Sequence, residues 1–139
     1  MKKLKRPTAA EEAIILRTDK KRAAIYRLRD NIDRLKRHIR EELTSDNEKI
    51  QLTALVLRIM LLTSERVGNE DSAKHGHFGV TVFKNKHVSV NKNEIRLNYI
   101  GKSGVDHDKY FCDETCSDIL KSLLKRNNNF IFVTSDGFK

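Results

Sequence analysis

The first strong pattern is an apolar stripe between residues 20 and 43. Isoleucine and leucine recur there at steps of three and four residues, as one face of an amphipathic helix requires. The other faces carry mostly basic side chains, some spaced to pair with acidic ones, such as Arg34 with Asp30. We therefore predict an amphipathic helix whose basic charge is partly structural. The stripe consists of Ile25, Leu28, Ile32, Leu35, Ile39 and Leu43.

A second, more apolar helix is predicted between Ser45 and about Glu65. Ser45 and Glu48 have the spacing of a capping box, in which each side chain bonds the backbone of the other residue. Apolar residues cover most of the surface after Gln51, which indicates a central core helix.

Arg66 follows this helix directly, and Gly68 is predicted to stop it, because glycine tolerates the left-handed conformation that ends helices. Arg66 would then lie near the last turn of a buried helix, where a fixed guanidinium can bind an anion. The simpler alternative is that Arg66 caps helix carbonyls or pairs with Glu65 or Glu70.

From Gly79 onward, apolar and polar positions alternate with the period of two that is typical of strands. Turn residues separate the strand candidates, and Asp113 can cap a later helix. We predict an α+β fold: amphipathic and buried helices, a small antiparallel sheet of three to four strands, then a further helix and a short strand. The candidates are strands at 80–82, 88–90, 95–99 and 109–112, a helix at 114–125 and a strand at 130–133.

The chain carries a net charge of +9, and the excess is concentrated near its start. Residues 1–44 hold 14 Lys and Arg against 7 Asp and Glu, which suggests a polyanion partner, usually nucleic acid; the alternatives are a solvated basic helix or simple solubility. No apolar run approaches the length of a membrane span, so we expect an intracellular protein. Cys112 and Cys116 are expected to be free thiols on one helix face.

Lys102 lies in a turn flanked by Gly101 and Gly104, which allow the backbone to approach a ligand. A turn lysine is ordinarily just solvated, but together with Arg66 it forms a two-cation site suited to a phosphodiester. Three further turn residues are predicted to contact the backbone of a nucleic acid: Lys84, Asn85 and Lys86. His75 and His77 lack carboxylate or cysteine partners nearby in the sequence, so we predict no metal site.

Five segments, in this order and at compatible spacing, resemble the catalytic domain of type IB DNA topoisomerases, with most similarity to the bacterial and poxvirus branch. The resemblance covers residues 20–139 and leaves residues 1–19 as a basic tail and irregular lead-in. The segments are 65–70 (Glu-Arg-Val-Gly-Asn-Glu), 76–81, 85–88, 99–104 (Tyr-Ile-Gly-Lys-Ser-Gly) and 133–137.

The resemblance implies an isomerase that relaxes supercoiled double-stranded DNA without ATP or an obligatory metal, and hence without a cofactor. A tyrosine of the family's active site attacks the phosphodiester and forms a transient 3′-phosphotyrosyl link. Two arginines, a lysine and a histidine complete that site. Arg66 matches the first arginine, and Lys102 matches the lysine in its glycine-flanked turn.

The family's remaining site residues lie further downstream than this chain extends. Tyr26 falls in the first helix, and Tyr99 and Tyr110 are strand positions, so the resemblance assigns the nucleophile to none of them. We expect residues 20–139 to be an incomplete catalytic domain that binds DNA without cleaving it, with the missing C-terminal part as a further partner and no need for more than a monomer. The alternatives are a tyrosine recombinase or integrase fragment, a non-catalytic DNA-binding module, and a basic protein–protein adaptor.

Overall fold

The computed structural model describes residues 7–137 and confirms the α+β class. The sheet has the order β1-β2-β3, and both pairings are antiparallel. The chain divides into a unit that ends at Arg37 and a unit that begins at His38. The predicted basic tail, Met1 to Arg6, lies outside the described residues. The elements are α1 (Ala9–Glu42), α2 (Glu48–Thr63), α3 (Glu70–Lys74), β1 (Val88–Asn91), β2 (Glu94–Ile100), β3 (Asp106–Cys112) and α4 (Glu114–Leu124).

Helix α1 begins at Ala9, so the predicted irregular lead-in up to residue 19 is wrong from that residue on. The sequence signal is a capping box: Glu11 N donates to Thr8 Oγ1 at 3.3 Å, and Thr8 N donates to the Glu11 carboxylate at 2.7 Å. The predicted apolar stripe changes character along the helix. Ile39 is buried, Ile32 and Leu35 are half-buried, and Ile25 and Leu28 are exposed. Among residues 7–137, no helix combines the length and apolar character needed to cross a bilayer.

Helix α2 is capped by Asn47 rather than by Ser45, because the Asn47 side chain accepts hydrogen bonds from the backbone of Lys49 and Ile50. The helix also stops earlier than predicted. Ser64, in the left-handed region with φ 57°, forms its C-cap, so Gly68 is not the helix stop.

The prediction that α2 is surrounded by core is only partly correct. Leu55 and Ile59 are fully buried, but Leu57 and Leu62 are about two-fifths exposed. The outer side of the helix lines an apolar groove of about 620 Å³, to which Phe132 also contributes.

Strand β2 confirms the predicted alternation, because Ile95, Leu97 and Tyr99 are buried while the residues between them are exposed. The first strand candidate is wrong, since Val80–Val82 forms a 3₁₀ turn. Its two valines are buried against the core without joining the sheet, so burial rather than strand pairing explains their spacing.

The end of the described chain also differs from the prediction. Residues 130–133 are buried in a bent segment and form no strand. Ile131 N donates a hydrogen bond to Phe83 O at 2.9 Å, but no ladder follows. Helix α4 has the predicted cap, since Asp113 accepts from the backbone of Cys116. Cys112 ends β3 and is exposed, so the expectation of a helix face shared by the two free thiols is wrong.

Candidate functional site

Arg66 lies beyond α2, in an irregular link whose backbone is nevertheless fixed. Arg66 O accepts a hydrogen bond from Val80 N at 3.0 Å. Thr81 Oγ1 accepts from Gly68 N at 3.0 Å and donates to Gly68 O at 2.9 Å. A Cβ on Gly68 would lie 2.4 Å from a methyl of Val82, so glycine is needed for a close approach of two chain segments and not for a helix stop. The link therefore holds Arg66 without help from a helix.

Lys102 occupies the β2–β3 connection, as the sequence predicted. Gly101 N donates to Val105 O at 2.7 Å and closes the turn, while Ser103 and Gly104 adopt positive φ angles of 63° and 74°. Gly101 is also close to its strand neighbour: a Cβ there would lie 2.5 Å from Nε2 of His107. The turn therefore packs against the His107 ring, and Lys102 within it is exposed.

Arg66 and Lys102 line one groove, whose volume is about 510 Å³. Among residues 7–137, neither side chain takes part in an ion pair or a hydrogen bond. The alternative in which Arg66 caps helix carbonyls or pairs with an acidic neighbour is therefore not what the structure shows. The groove brings together two cations predicted from distant segments. Its other lining residues are Val67, Gly68, Asn69, Ser72, His77 and Phe78.

The structure adds His77, which we had considered only as a metal ligand, to this groove. His77 lies in the link between α3 and Gly79, and its side chain is half-buried. Its neighbour His75 instead contacts Asp71 O through Nδ1 at 2.8 Å. The part of the chain that the structure describes contains no group of three or more potential metal-ligating side chains.

Glu65 forms a buried cluster directly behind Arg66, and only 2% of its side chain is exposed. Its carboxylate accepts hydrogen bonds from the Tyr99 hydroxyl, from His107 Nδ1 at 3.1 Å and from Lys109 Nζ at 2.6 Å. We call these four residues the Glu65 cluster.

Two pKa shifts follow from this arrangement. Burial acts to raise the pKa of Glu65, but the hydrogen bonds from Lys109 and Tyr99, together with the neighbouring positive charge of His107 and Lys109, outweigh it and lower the pKa below its ordinary value. Glu65 is therefore an acceptor only, and His107 must carry its ring proton on Nδ1. Burial and the Glu65 carboxylate raise the pKa of Tyr99, which keeps its hydroxyl protonated.

The three residues predicted to contact the DNA backbone lie elsewhere, in a 3₁₀ turn before β1 rather than between two strands. Asn85 donates its side-chain amide to Leu124 O at 3.1 Å, and Lys84 Nζ lies 6.0 Å from the Phe130 ring centroid. Lys86 is exposed. Asn85 and Lys84 therefore contact other parts of the protein. DNA contact by all three residues stays a prediction.

Fold and groove together define an α+β domain in which an arginine and a lysine from distant parts of the chain line one groove. The comparison with family models places the chain more closely. Residues 10–135 match the model described as eukaryotic DNA topoisomerase I, catalytic core. The chain therefore belongs to this family, whose substrate is DNA, and the predicted type IB relationship is confirmed. No curated protein matches the chain.

Proposed function

We propose that this chain contributes Arg66 and Lys102 to a type IB topoisomerase active site and binds duplex DNA at the groove they line. The observation that supports this most is that the two cations share one groove and have no protein partner within residues 7–137. Two unpaired cations that face one concave surface attract an anion, and family membership makes a DNA phosphate the natural choice.

Each cation suits a separate part of the transesterification. Attack at phosphorus builds negative charge on the nonbridging oxygens, and the planar Arg66 guanidinium can stabilise it with two parallel hydrogen bonds. The departing 5′ oxygen needs a proton, which the Lys102 ammonium can donate. Single groups of these kinds contribute about 10²–10⁴-fold in rate. A 3′-phosphotyrosyl link would then let the free strand rotate before resealing, with no need for ATP.

The attacking tyrosine has no good candidate in this chain. None of its three tyrosines, all of which lie within residues 7–137, lines the groove. Tyr99 is buried, and its hydroxyl is bonded to Glu65. Tyr110 alternates with Lys109 along β3 and so faces the side of the sheet away from Glu65. Tyr26 is exposed on α1, in the N-terminal unit. We therefore propose that the chain alone binds DNA without cleaving it.

His77 is proposed as an additional phosphate contact. Its ring can donate a hydrogen bond to a phosphate held between Arg66 and Lys102, because all three side chains line the same groove. Lys86 is proposed as the strongest of the three predicted backbone contacts, since it is exposed, whereas the exposed Asn85 side chain is already bonded to Leu124 O.

The first experiment measures the affinity of the full chain for a short fluorescein-labelled duplex by anisotropy at several salt concentrations. Arg66→Ala and Lys102→Ala should each weaken binding by about tenfold, the effect of one charge-assisted hydrogen bond. Each should also make the slope of log affinity against log salt shallower by about one, because one phosphate contact is lost. Lys125→Ala is the matched control, since Lys125 is exposed at the end of α4 and does not line the groove.

A plasmid relaxation assay without ATP or magnesium tests the second half of the proposal. The 139-residue chain should leave a supercoiled plasmid unchanged. Relaxed product from the purified chain would show that it contains its own nucleophile. Unchanged duplex affinity in both alanine variants would instead remove Arg66 and Lys102 from the binding site.

A further inference from the structure

The Glu65 cluster connects the two cations of the groove. Glu65 directly precedes Arg66 in the sequence, and the His107 ring lies against Gly101, the residue before Lys102. A hydrogen bond from His107 Nδ1 to Glu65 therefore joins the segment that carries Arg66 to the hairpin that carries Lys102.

Two further contacts make this connection stiff. Tyr99 and His107 are directly paired across β2 and β3, and their rings stack with centroids 4.7 Å apart and planes 9° from parallel. Lys109 Nζ bonds both the Glu65 carboxylate and Thr63 O, at 2.6 and 2.7 Å. Three donors from two adjacent strands thus hold one carboxylate and the end of α2.

We infer that Glu65 is a positioning residue, which through Tyr99, His107 and Lys109 fixes Arg66 and the Lys102 turn at the separation needed to hold one phosphate. This inference rests on the proposed function of Arg66 and Lys102. Glu65 itself does not line the groove, so it acts through its neighbours.

The charge of Glu65 is needed for this role. A neutral side chain at this position would leave the Lys109 ammonium without its carboxylate partner and would weaken the hydrogen bonds from Tyr99 and His107. Local backbone hydrogen bonds, from Val80 N to Arg66 O and from Gly101 N to Val105 O, hold each segment by itself, and the Glu65 cluster joins the two segments. Fixing their backbones in advance lowers the ordering cost of binding and makes their contributions to phosphate binding interdependent.

A double-mutant cycle measures that interdependence. The duplex affinities of the wild-type chain, Arg66→Ala, Lys102→Ala and the double variant give the coupling between the two cations. We expect a coupling of about fivefold or more, the lower end of the usual range between interacting sites. The same cycle in a Glu65→Gln background should reduce the coupling to about twofold or less, with circular dichroism confirming that the variant is folded.

Asp108→Asn provides the matched control, because it removes one carboxylate charge from the opposite face of the same sheet. The coupling should persist in that background. A readout without DNA accompanies the cycle: Glu65→Gln should shift the NMR signals of Arg66 Nε–Hε and of the Gly101 and Lys102 amides, whereas Asp108→Asn should leave the Arg66 signal in place.

The outcomes separate the inference from the proposed function. If both alanine variants weaken binding but the coupling survives Glu65→Gln, Glu65 is not a positioning residue and the proposed site stands. If neither alanine variant weakens binding of the wild-type chain, the proposed site and this inference are both overturned. Should Glu65→Gln unfold, Tyr99→Phe keeps the ring stack and removes one donor. It should lower the coupling by about half, and an unchanged coupling would overturn the inference.

Discussion

The two faces of the sheet carry the same three kinds of side chain in different surroundings. On the inner face, Glu65 meets Lys109 and Tyr99, and its side chain is 2% exposed. On the outer face, Asp108 receives two hydrogen bonds from Arg96, at 2.8 and 2.7 Å, and the guanidinium lies 5.2 Å from the ring centroid of Tyr110. The outer ion pair has the better geometry, since it is bidentate.

Geometry alone does not decide what these clusters contribute. The side chains of Arg96 and Asp108 are 46% and 42% exposed, so water competes for both charges and the pair adds little to stability. The Glu65 carboxylate has lost its water and depends on its three donors, because a buried charge without partners is strongly unfavourable. Burial therefore matters more than hydrogen-bond geometry here: disrupting the Glu65 cluster should lower stability, whereas disrupting the bidentate Arg96–Asp108 pair should not.

The largest expected effect is that of Glu65→Gln on stability. It should lower the free energy of unfolding by about 1–3 kcal/mol, because the amide bonds Lys109 and Tyr99 less well than the carboxylate does. The loss stays below that for a completely buried ion pair, since the Lys109 side chain is 37% exposed and can reach water. Urea unfolding followed by circular dichroism at neutral pH measures this difference.

The outer-face equivalent, Asp108→Asn, should leave the free energy of unfolding unchanged within error. Equal losses in the two variants would mean that burial does not distinguish the two faces. A loss in Asp108→Asn alone would reverse the comparison.

Acid should also lower the stability of the folded state, through the buried side chain of His87. Burial, followed by the positive charges of Lys86 and Lys84, lowers the pKa of His87 from 6.5 to about 4. The folded state therefore binds this proton less readily than the unfolded state does, and stability should fall as the pH drops from 6.5 towards 4. Allowing for screening by water, we expect a loss of about 1–2 kcal/mol from this residue.

Urea unfolding of wild-type chain and of His87→Gln at the two ends of this pH range tests the effect. The variant should lose less stability on acidification, because it has no proton to take up at this position. The lowered pKa values of Glu65 and Asp113 add a separate loss at lower pH, as their carboxylates become protonated. His75→Gln, at an exposed ring, should behave as the wild type does. Identical acid sensitivity in all three proteins would show that His87 is not the group responsible.

The parts of the molecule that local rules govern could be predicted from the sequence. The alternation along β2 and the glycine-flanked turn of Lys102 depend on neighbouring residues only, and both were correct. The capping box at Thr8 and Glu11 was equally visible in the sequence and was missed. Val80–Val82 was assigned wrongly, because burial against the core imitates the spacing of a strand.

The Glu65 cluster could not be predicted in the same way. Its hydrogen bonds join residues 34 and 42 positions apart, so no periodicity within a segment signals them. Arg66 and Lys102 were predicted as a two-cation site from their positions in the chain, and the family resemblance gave each a role. That both line one groove is a tertiary feature, which no local pattern signals. The same limit explains why Gly68 was interpreted as a helix stop: its close approach to the segment around Gly79 is a tertiary contact.

The smallest expected effect is that of removing one hydroxyl from either tyrosine of the sheet, Tyr99 on the inner face or Tyr110 on the outer face. Tyr99→Phe should lower the free energy of unfolding by about 0.5–1.5 kcal/mol, the net value of one hydrogen bond, while the stacked ring keeps its place against His107. Tyr110→Phe should have no measurable effect, because the exposed ring keeps its contact with Arg96 and water can take the place of the Tyr110 hydroxyl beside Asp108. Urea unfolding of both variants under the same conditions is the measurement. If Tyr110→Phe proved the more damaging change, the outer cluster would be stabilising in spite of its exposure, and solvent competition would not explain the difference between the two faces.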